Sequence, residues 1–324
     1  ESRGLGDVYK RQDIKYRNVG PTRGGRSTSV CGVIKNEFTF YMGTSGGGLW
    51  KTVDGGLSWN NISDGYFEYP SIGSIDVFQS NPDIIYVGTG SDGIRSNVIV
   101  GKGVYKSLDA GGSWEFIGLK SAGQIGAIKV HPKNPDIVYA AAIGQPFKQN
   151  TERGLFKSID GGKNWKKILY ISDKIGIVDM EFSPDDPNTI YAASWEVNRK
   201  PWTIMSGSKD GGIYKSVDGG QSWTKLFKGL PKGNIGKIDL ATSPADTNRL
   251  YALIEAGEGQ GGVYVSYDKG SSFKVMSHRK ELVNRPFYYC NIYAHPKNAD
   301  VIYSSANKFM VSINAGKTWE IRET

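Results

Sequence analysis

The chain has 324 residues, a net charge of +8, 43 glycines, and 38% hydrophobic and 12% aromatic content. This is enough apolar material for a large core of glycine-rich β structure, and no apolar run reaches the roughly 20 residues of a membrane-spanning helix. The positive excess is spread along the chain rather than blocked, which speaks for solubility or an anionic small ligand and against a nucleic-acid partner.

Residues 1–12 match nothing downstream and are set aside as a non-native or disordered lead-in, leaving 13–324 as the folding unit. Along that unit one phrase recurs: Thr52-Val-Asp54-Gly-Gly56-Leu-Ser58-Trp59, then Ser107-Leu-Asp109-Ala-Gly111-Gly-Ser113-Trp114, then Ser158-Ile-Asp160-Gly-Gly162-Lys-Asn164-Trp165. A fourth copy runs from Ser216 to Trp223, and degraded copies end at Phe273 and Trp319. A second marker, an apolar residue followed by tyrosine, precedes each copy at Tyr41, Tyr86, Tyr139, Tyr191, Tyr251 and Tyr303. Repeats in register are the sequence mark of a repeat architecture.

The third unit shows the period best. Ile125–Val130 alternates as a strand, and His131-Pro-Lys-Asn-Pro-Asp136 forces a turn. Residues 137–142 form an apolar second strand, Gly154–Ser158 a third, and Trp165–Leu169 a fourth. Four hairpin-linked strands in roughly 50 residues make one propeller blade. The prediction is an all-β propeller with six four-stranded units at 24–62, 71–117, 124–169, 174–227, 234–276 and 287–321. The units form a closed six-blade ring or part of a larger propeller. Within each repeat the acid accepts backbone N–H bonds in a tight turn, glycine supplies positive φ, and tryptophan packs between blades. Asp54, Asp109, Asp160, Asp218, Asp268 and Asn314 are therefore structural, since six equivalent active sites are implausible. His131 and His295 sit in equivalent turns and are read as turn residues. Cys31 and Cys290 fall at different offsets from their marker tyrosines and are not expected to bridge.

The pattern Ser/Thr-x-Asp-x-Gly-x-Ser/Thr-Trp resembles the Asp-box of the bacterial neuraminidase repeat, shared by sialidases, xyloglucanase-type hydrolases, sortilin-type receptors and photosystem assembly propellers. Arg17–Arg26, Gly43–Lys51, Arg95–Val98, Arg199–Trp202 and Gly229–Gly233 look most like bacterial secreted proteins with sortilin N-terminal-type repeats, often named glycosyl hydrolases. The resemblance implies a secreted, periplasmic or bacterial cell-surface propeller that binds a glycan or anionic ligand as a glycoside hydrolase-like domain, or else a non-catalytic peptide- or protein-binding module or assembly scaffold, with additional C-terminal blades or domains in the full-length protein. Two departures stand out. Ser45 occupies the position of the xyloglucanase acid, and no sialidase Phe/Tyr-Arg-Ile-Pro motif occurs.

Chemistry is expected in the loops opposite the boxes, which carry arginines beside aromatic faces suited to carboxylate, sulfate or sugar ligands. The binding candidates are Arg23, Arg26, Tyr66, Arg95, Arg153, Arg199, Trp202, Arg285 and Tyr288. Catalysis would draw on Glu68, Asp92, Glu152 or Glu196, since a glycosidase needs two carboxyls, with His278 as a lyase-type base. The competing reading pairs those arginines with those acids to hold long loops together. No cofactor is expected, and no His/Cys/carboxylate cluster has metal-ligand spacing.

Overall fold

In a computed structural model, which describes residues 25–322, every octapeptide is a hairpin turn joining the last two strands of an antiparallel sheet. The 1–12 lead-in and Arg23 lie outside the described residues. Blade one comprises β1 (Ser27–Val33), β2 (Asn36–Thr44), β3 (Leu49–Thr52) and β4 (Asn60–Asn61). Blade two comprises β5 (Ile72–Val77), β6 (Ile85–Thr89), β7 (Val104–Ser107) and β8 (Glu115–Phe116). In blade three, β9 (Gln124–Val130), β10 (Val138–Gly144), β11 (Gly154–Ser158) and β12 (Lys166–Leu169) fall within a residue or two of the sequence reading.

Blade four holds β13 (Ile175–Phe182), β14 (Ile190–Lys200), the extra hairpin strand β15 (Thr203–Ser206), β16 (Gly212–Ser216) and β17 (Thr224–Leu226). Blade five holds β18 (Ile235–Ser243), β19 (Asp246–Ala256), β20 (Gly262–Ser266) and β21 (Lys274–Ser277). Blade six holds β22 (Asn291–Ala294), β23 (Ile302–Ser305), β24 (Phe309–Ser312) and β25 (Glu320–Ile321). The six innermost strands surround one central cavity of about 360 Å³. The molecule is a six-blade propeller with hairpin-linked blades.

Each box closes on itself. In blade three, Asp160 Oδ1 accepts the Asn164 N–H at 2.9 Å, and the Ser158 hydroxyl donates to the same oxygen at 2.7 Å. The Gly162 N–H returns to Ser158 Oγ at 2.8 Å, and the Gly161 N–H donates to Asp136 O of the first turn. Asn314 does the same work with its amide oxygen, accepting from the Thr318 N–H at 2.9 Å. These bonds hold the box carboxyls low: Asp109 falls to about 2, first through Ser113 Oγ, and Asp160 to about 2, first through the Asn164 amide.

With its N–H groups satisfied internally, the turn presents a carbonyl outward, and the preceding blade takes it. Tyr139 Oη donates to Gly219 O at 3.1 Å and Lys157 Nζ at 2.9 Å. The same pair recurs as Tyr41 and Lys51 on Ala110 O, and as Tyr191 and Lys215 on Lys269 O. The lysine ammonium also stands over its tyrosine ring, at 5.2 Å for Lys157 and Tyr139. This two-donor latch explains why the tyrosine marker recurs with the Lys-Ser/Thr that precedes four of the six boxes; valine stands at the lysine position before the last two, at Val265 and Val311.

The second box glycine sits against the outer strand of the preceding blade. A Cβ on Gly162 would come within 2.3 Å of Ile117, one on Gly111 within 2.6 Å of Ile62, and one on Gly220 within 2.5 Å of Ile168. At the seam between blades six and one these contacts are missing among the described residues. A Cβ on Gly56 would meet only Trp59 of its own box, and Tyr303 Oη has no described acceptor. Phe38, Phe40, Tyr293 and Ile321 on the two flanking blades are correspondingly exposed.

Two outcomes check this account. Gly56 and Gly220 share nearly the same φ, 96° and 95°, so alanine strains the backbone equally at both. Gly220→Ala should lower stability by about 1–3 kcal/mol more than Gly56→Ala in urea denaturation, the difference being overpacking against Ile168. The depressed box carboxyls also set a pH window. Because their folded values lie below the ordinary 3.8, their contribution is complete above about pH 4 and is lost as pH falls toward about 2. Thermal melts should fall steeply across that range, and Asp109→Asn plus Asp160→Asn should make the fall shallower.

Candidate functional site

The loop between β6 and β7 leaves blade two and crosses the mouth of the funnel. The Ile94 N–H donates to Phe287 O at 2.7 Å, and Gly93 lies so close to Tyr288 that a Cβ would stand 2.4 Å from its carbonyl oxygen. Ile94 and Val98 are buried in a core shared with Val178, Trp195, Ile235 and Ile254. The funnel is therefore stoppered by its own loop. Such closure is absent from the periodic signal, because this loop belongs to no strand.

Asp92 anchors the stopper from below. Its carboxylate meets Lys237 Nζ at 2.7 Å, with the lysine side chain 1% exposed. Asn291 Nδ2 reaches Asp92 at 3.5 Å and Asp239 at 3.2 Å. Burial alone would lower the lysine; Asp92 and Asp239 outweigh it and keep the ammonium charged. Lys237 was invisible as a site residue, since it reads as one position in the alternation of β18.

Beneath this layer the inner strands are stitched together by carboxylates. Asp76 accepts the Val130 N–H at 2.6 Å, Asp179 the Leu240 N–H at 2.7 Å, and Asp239 the Ile292 N–H at 2.7 Å. Each acid belongs to one blade and the N–H to the next. Burial pushes Asp76 and Asp179 up to about 6, Glu181 adding to the latter. Glu181 itself is paired with Lys129 at 2.7 Å. Among the described residues no three His, Cys, Asp or Glu side chains are grouped to hold a metal ion.

Four of the sequence candidates converge, three binding residues and Asp92. Arg26, Arg95 and Tyr288 line one pocket of about 180 Å³ with Thr28, Asp92 and Asn291. The guanidinium carbons of Arg26 and Arg95 lie 5.0 and 5.8 Å from the Tyr288 ring centre. Arg95 is 3% exposed, yet its Nε has no hydrogen-bond partner among the described residues. Burial lowers its pKa and Arg26 adds to that, against the pull of Asp92. The pocket shares Thr28, Asp92 and Asn291 with the central cavity and so adjoins it.

The remaining candidates are dispersed. Arg153 is 1% exposed, and its guanidinium donates to Ile143 O and Gln145 O at 2.7 Å and to Lys148 O at 3.3 Å. It pins its own loop, with its pKa brought down to about 10 by burial. Tyr66 reaches outward to Gly112 O at 3.1 Å, against the box turn of blade two. Arg199 lies on the β14–β15 hairpin, Trp202 at its tip is 80% exposed, and Arg285 is exposed in the lead-in to blade six. Glu68 forms a surface pair with Lys120 at 3.6 Å. Glu152 is half-buried beside Arg153, and Glu196 lines a separate pocket with Arg153 and Lys174. His278 Nδ1 meets Gly261 O at 2.9 Å and its ring packs on Tyr264. The acids that form ion pairs thus pair with lysines, not with the arginines proposed from sequence. His131 and His295 bond the turn N–H of Lys133 and Lys297, as expected, and both cysteines are free.

Residues 102–258 match the family model Sortilin-Vps10, described as Sortilin, neurotensin receptor 3. A xyloglucanase of Paenibacillus sp is 23% identical over 256 residues, covering 70% of this chain and 23% of the relative. This chain therefore spans about a quarter of that enzyme's length. The GH74 xyloglucanase of Xanthomonas campestris superposes with a TM-score of 0.68 at 16% identity, over 95% of this chain and 46% of its own. A solved structure of YCF48 bound to D1 peptide superposes with a TM-score of 0.60 at 14% identity, over 95% of this chain and 86% of that one. At these identities the superpositions establish the propeller fold.

Arg153→Met should strip several buried carbonyls of their donor and cost about 3 kcal/mol in urea denaturation.

Proposed function

We propose that this propeller is a non-catalytic binding module that takes an acidic glycan or related anionic ligand on its loop face, outside the cytoplasm or in the cell envelope. What supports the reading is the disposition of its carboxyls. A glycosidase needs an acid and a second carboxyl about 5–9.5 Å apart, both free to act on one sugar. Here Asp92 is held by Lys237, Glu68 pairs with Lys120 at the surface, and Glu196 lines a pocket in which it is the sole carboxylate. The acids around the central cavity are committed to the N–H groups of the next blade or to Lys129. Ser45, at the position of the xyloglucanase acid, donates its N–H to Arg26 O at 3.1 Å and supplies no carboxyl.

Incubation with xyloglucan and mixed plant and bacterial polysaccharides should release no reducing ends above the level of a heat-killed control. A glycan array carrying uronic-acid and sulfated chains should retain the protein. Product release abolished by Glu196→Gln or Asp92→Asn would overturn the reading in favour of a hydrolase.

A further inference from the structure

Arg95 poses a problem in electrostatics. A guanidinium carries five donors and stays charged, so burying one without acceptors or a counter-charge is costly. Arg153, equally buried, resolves this by bonding loop carbonyls. The Arg95 side chain has no hydrogen bond and no ion pair among the described residues, and it lines an open pocket with a second arginine on the same tyrosine. The nearest carboxylate, Asp92, is already neutralised by Lys237 at 2.7 Å. Arg26, Arg95 and Lys237 thus gather around Asp92 at this mouth, and both guanidiniums line the pocket.

We infer that the pocket between Arg26, Arg95 and Tyr288 is an oxyanion site that holds one carboxylate or sulfate group. This rests on the binding reading above and names the chemical class that the face recognises. The two guanidiniums supply charge-assisted N–H bonds to the oxyanion, the bidentate geometry arginine favours. Tyr288 holds both cations in place by cation–π contact, with Tyr289 packed edge-on against it at 4.8 Å. Asp92 and Asn291 on the far wall accept from hydroxyls on the body behind the anion, which suits a sugar acid or a sugar sulfate. A neutral sugar leaves Arg95 as unpaired as the empty site does.

The site also makes a claim about stability. Where a buried charge is kept for a ligand rather than for packing, removing it relieves the fold while abolishing binding.

Calorimetric titration of the chain with sodium D-glucuronate and with sodium sulfate, using D-glucose as the neutral control, tests the proposal. Saturable one-to-one binding is expected for an anion and none for glucose. Arg26→Gln, at an exposed position, and Arg95→Met should each weaken binding by about ten-fold or more, the loss of one charge-assisted bond. Glucuronate without sulfate assigns the group to a carboxylate, and sulfate alone assigns it to a sulfate ester; both uphold the site. Arg95→Met should melt no lower than the parent chain. Saturation by neither anion, equal binding of glucose, or unchanged affinity in both variants overturns it. So does an Arg95→Met chain that melts several degrees lower while Arg26→Gln binds normally. Failure of the wider reading is seen separately, as reducing ends released from polysaccharide, which these titrations do not detect.

Discussion

The carbonyl that the Asp-box turns outward at Ala110, Gly219 and Lys269 is the constraint on which the architecture depends. One carboxylate, one hydroxyl and a carbonyl of the first turn in the same blade satisfy the N–H groups of the box, so its own carbonyl must find donors elsewhere. The preceding blade supplies them from a buried tyrosine and a lysine stacked on it, as at Gly219. Blade spacing follows, because the latch closes only when the second box glycine rests on the outer strand behind it. The repeated acid, the marker tyrosine, the lysine and the glycine are four parts of one interblade joint.

That joint lies on the rear face and frees the front from structural duty. There the two buried arginines follow opposite logic. Arg153 donates from both terminal nitrogens to loop carbonyls and holds the fold; the Arg95 side chain has no described acceptor and lines an open pocket. Residue type, burial and sequence neighbourhood are alike for the two, and the acceptors within reach separate them. Stored cost of this kind is a recurrent sign of a functional position.

Between the faces, the cavity wall is polar but spoken for. Asp76, Asp179 and Asp239 bridge one inner strand to the next, and Lys129 and Lys237 neutralise the acids left over. This stitching replaces the direct strand-to-strand hydrogen bonds that radially arranged sheets cannot make near their axis. It also removes these carboxyls from hydrolytic service, although they lie where a glycosidase would want them.

The amino-acid sequence by itself determined the blades, their order and the roles of Asp54, Asp109, Asp160, Asp218, Asp268 and Asn314. Those features repeat, and a strand or turn of this kind depends on neighbours a few residues away. It also marked Arg26, Arg95 and Tyr288 as binding residues, but could not separate them from Arg153, Tyr66, Arg199 or Trp202, which carry the same chemistry in the same kinds of loop. Only the tertiary structure decided that separation, together with the Asp92–Lys237 pair 145 residues apart and the loop lying across the funnel. The physical reason is that long connections carry no periodic signal. Their path is set by burial of Ile94 and Val98 against distant blades, and that path alone fixes which guanidinium meets carbonyls and which meets a cavity.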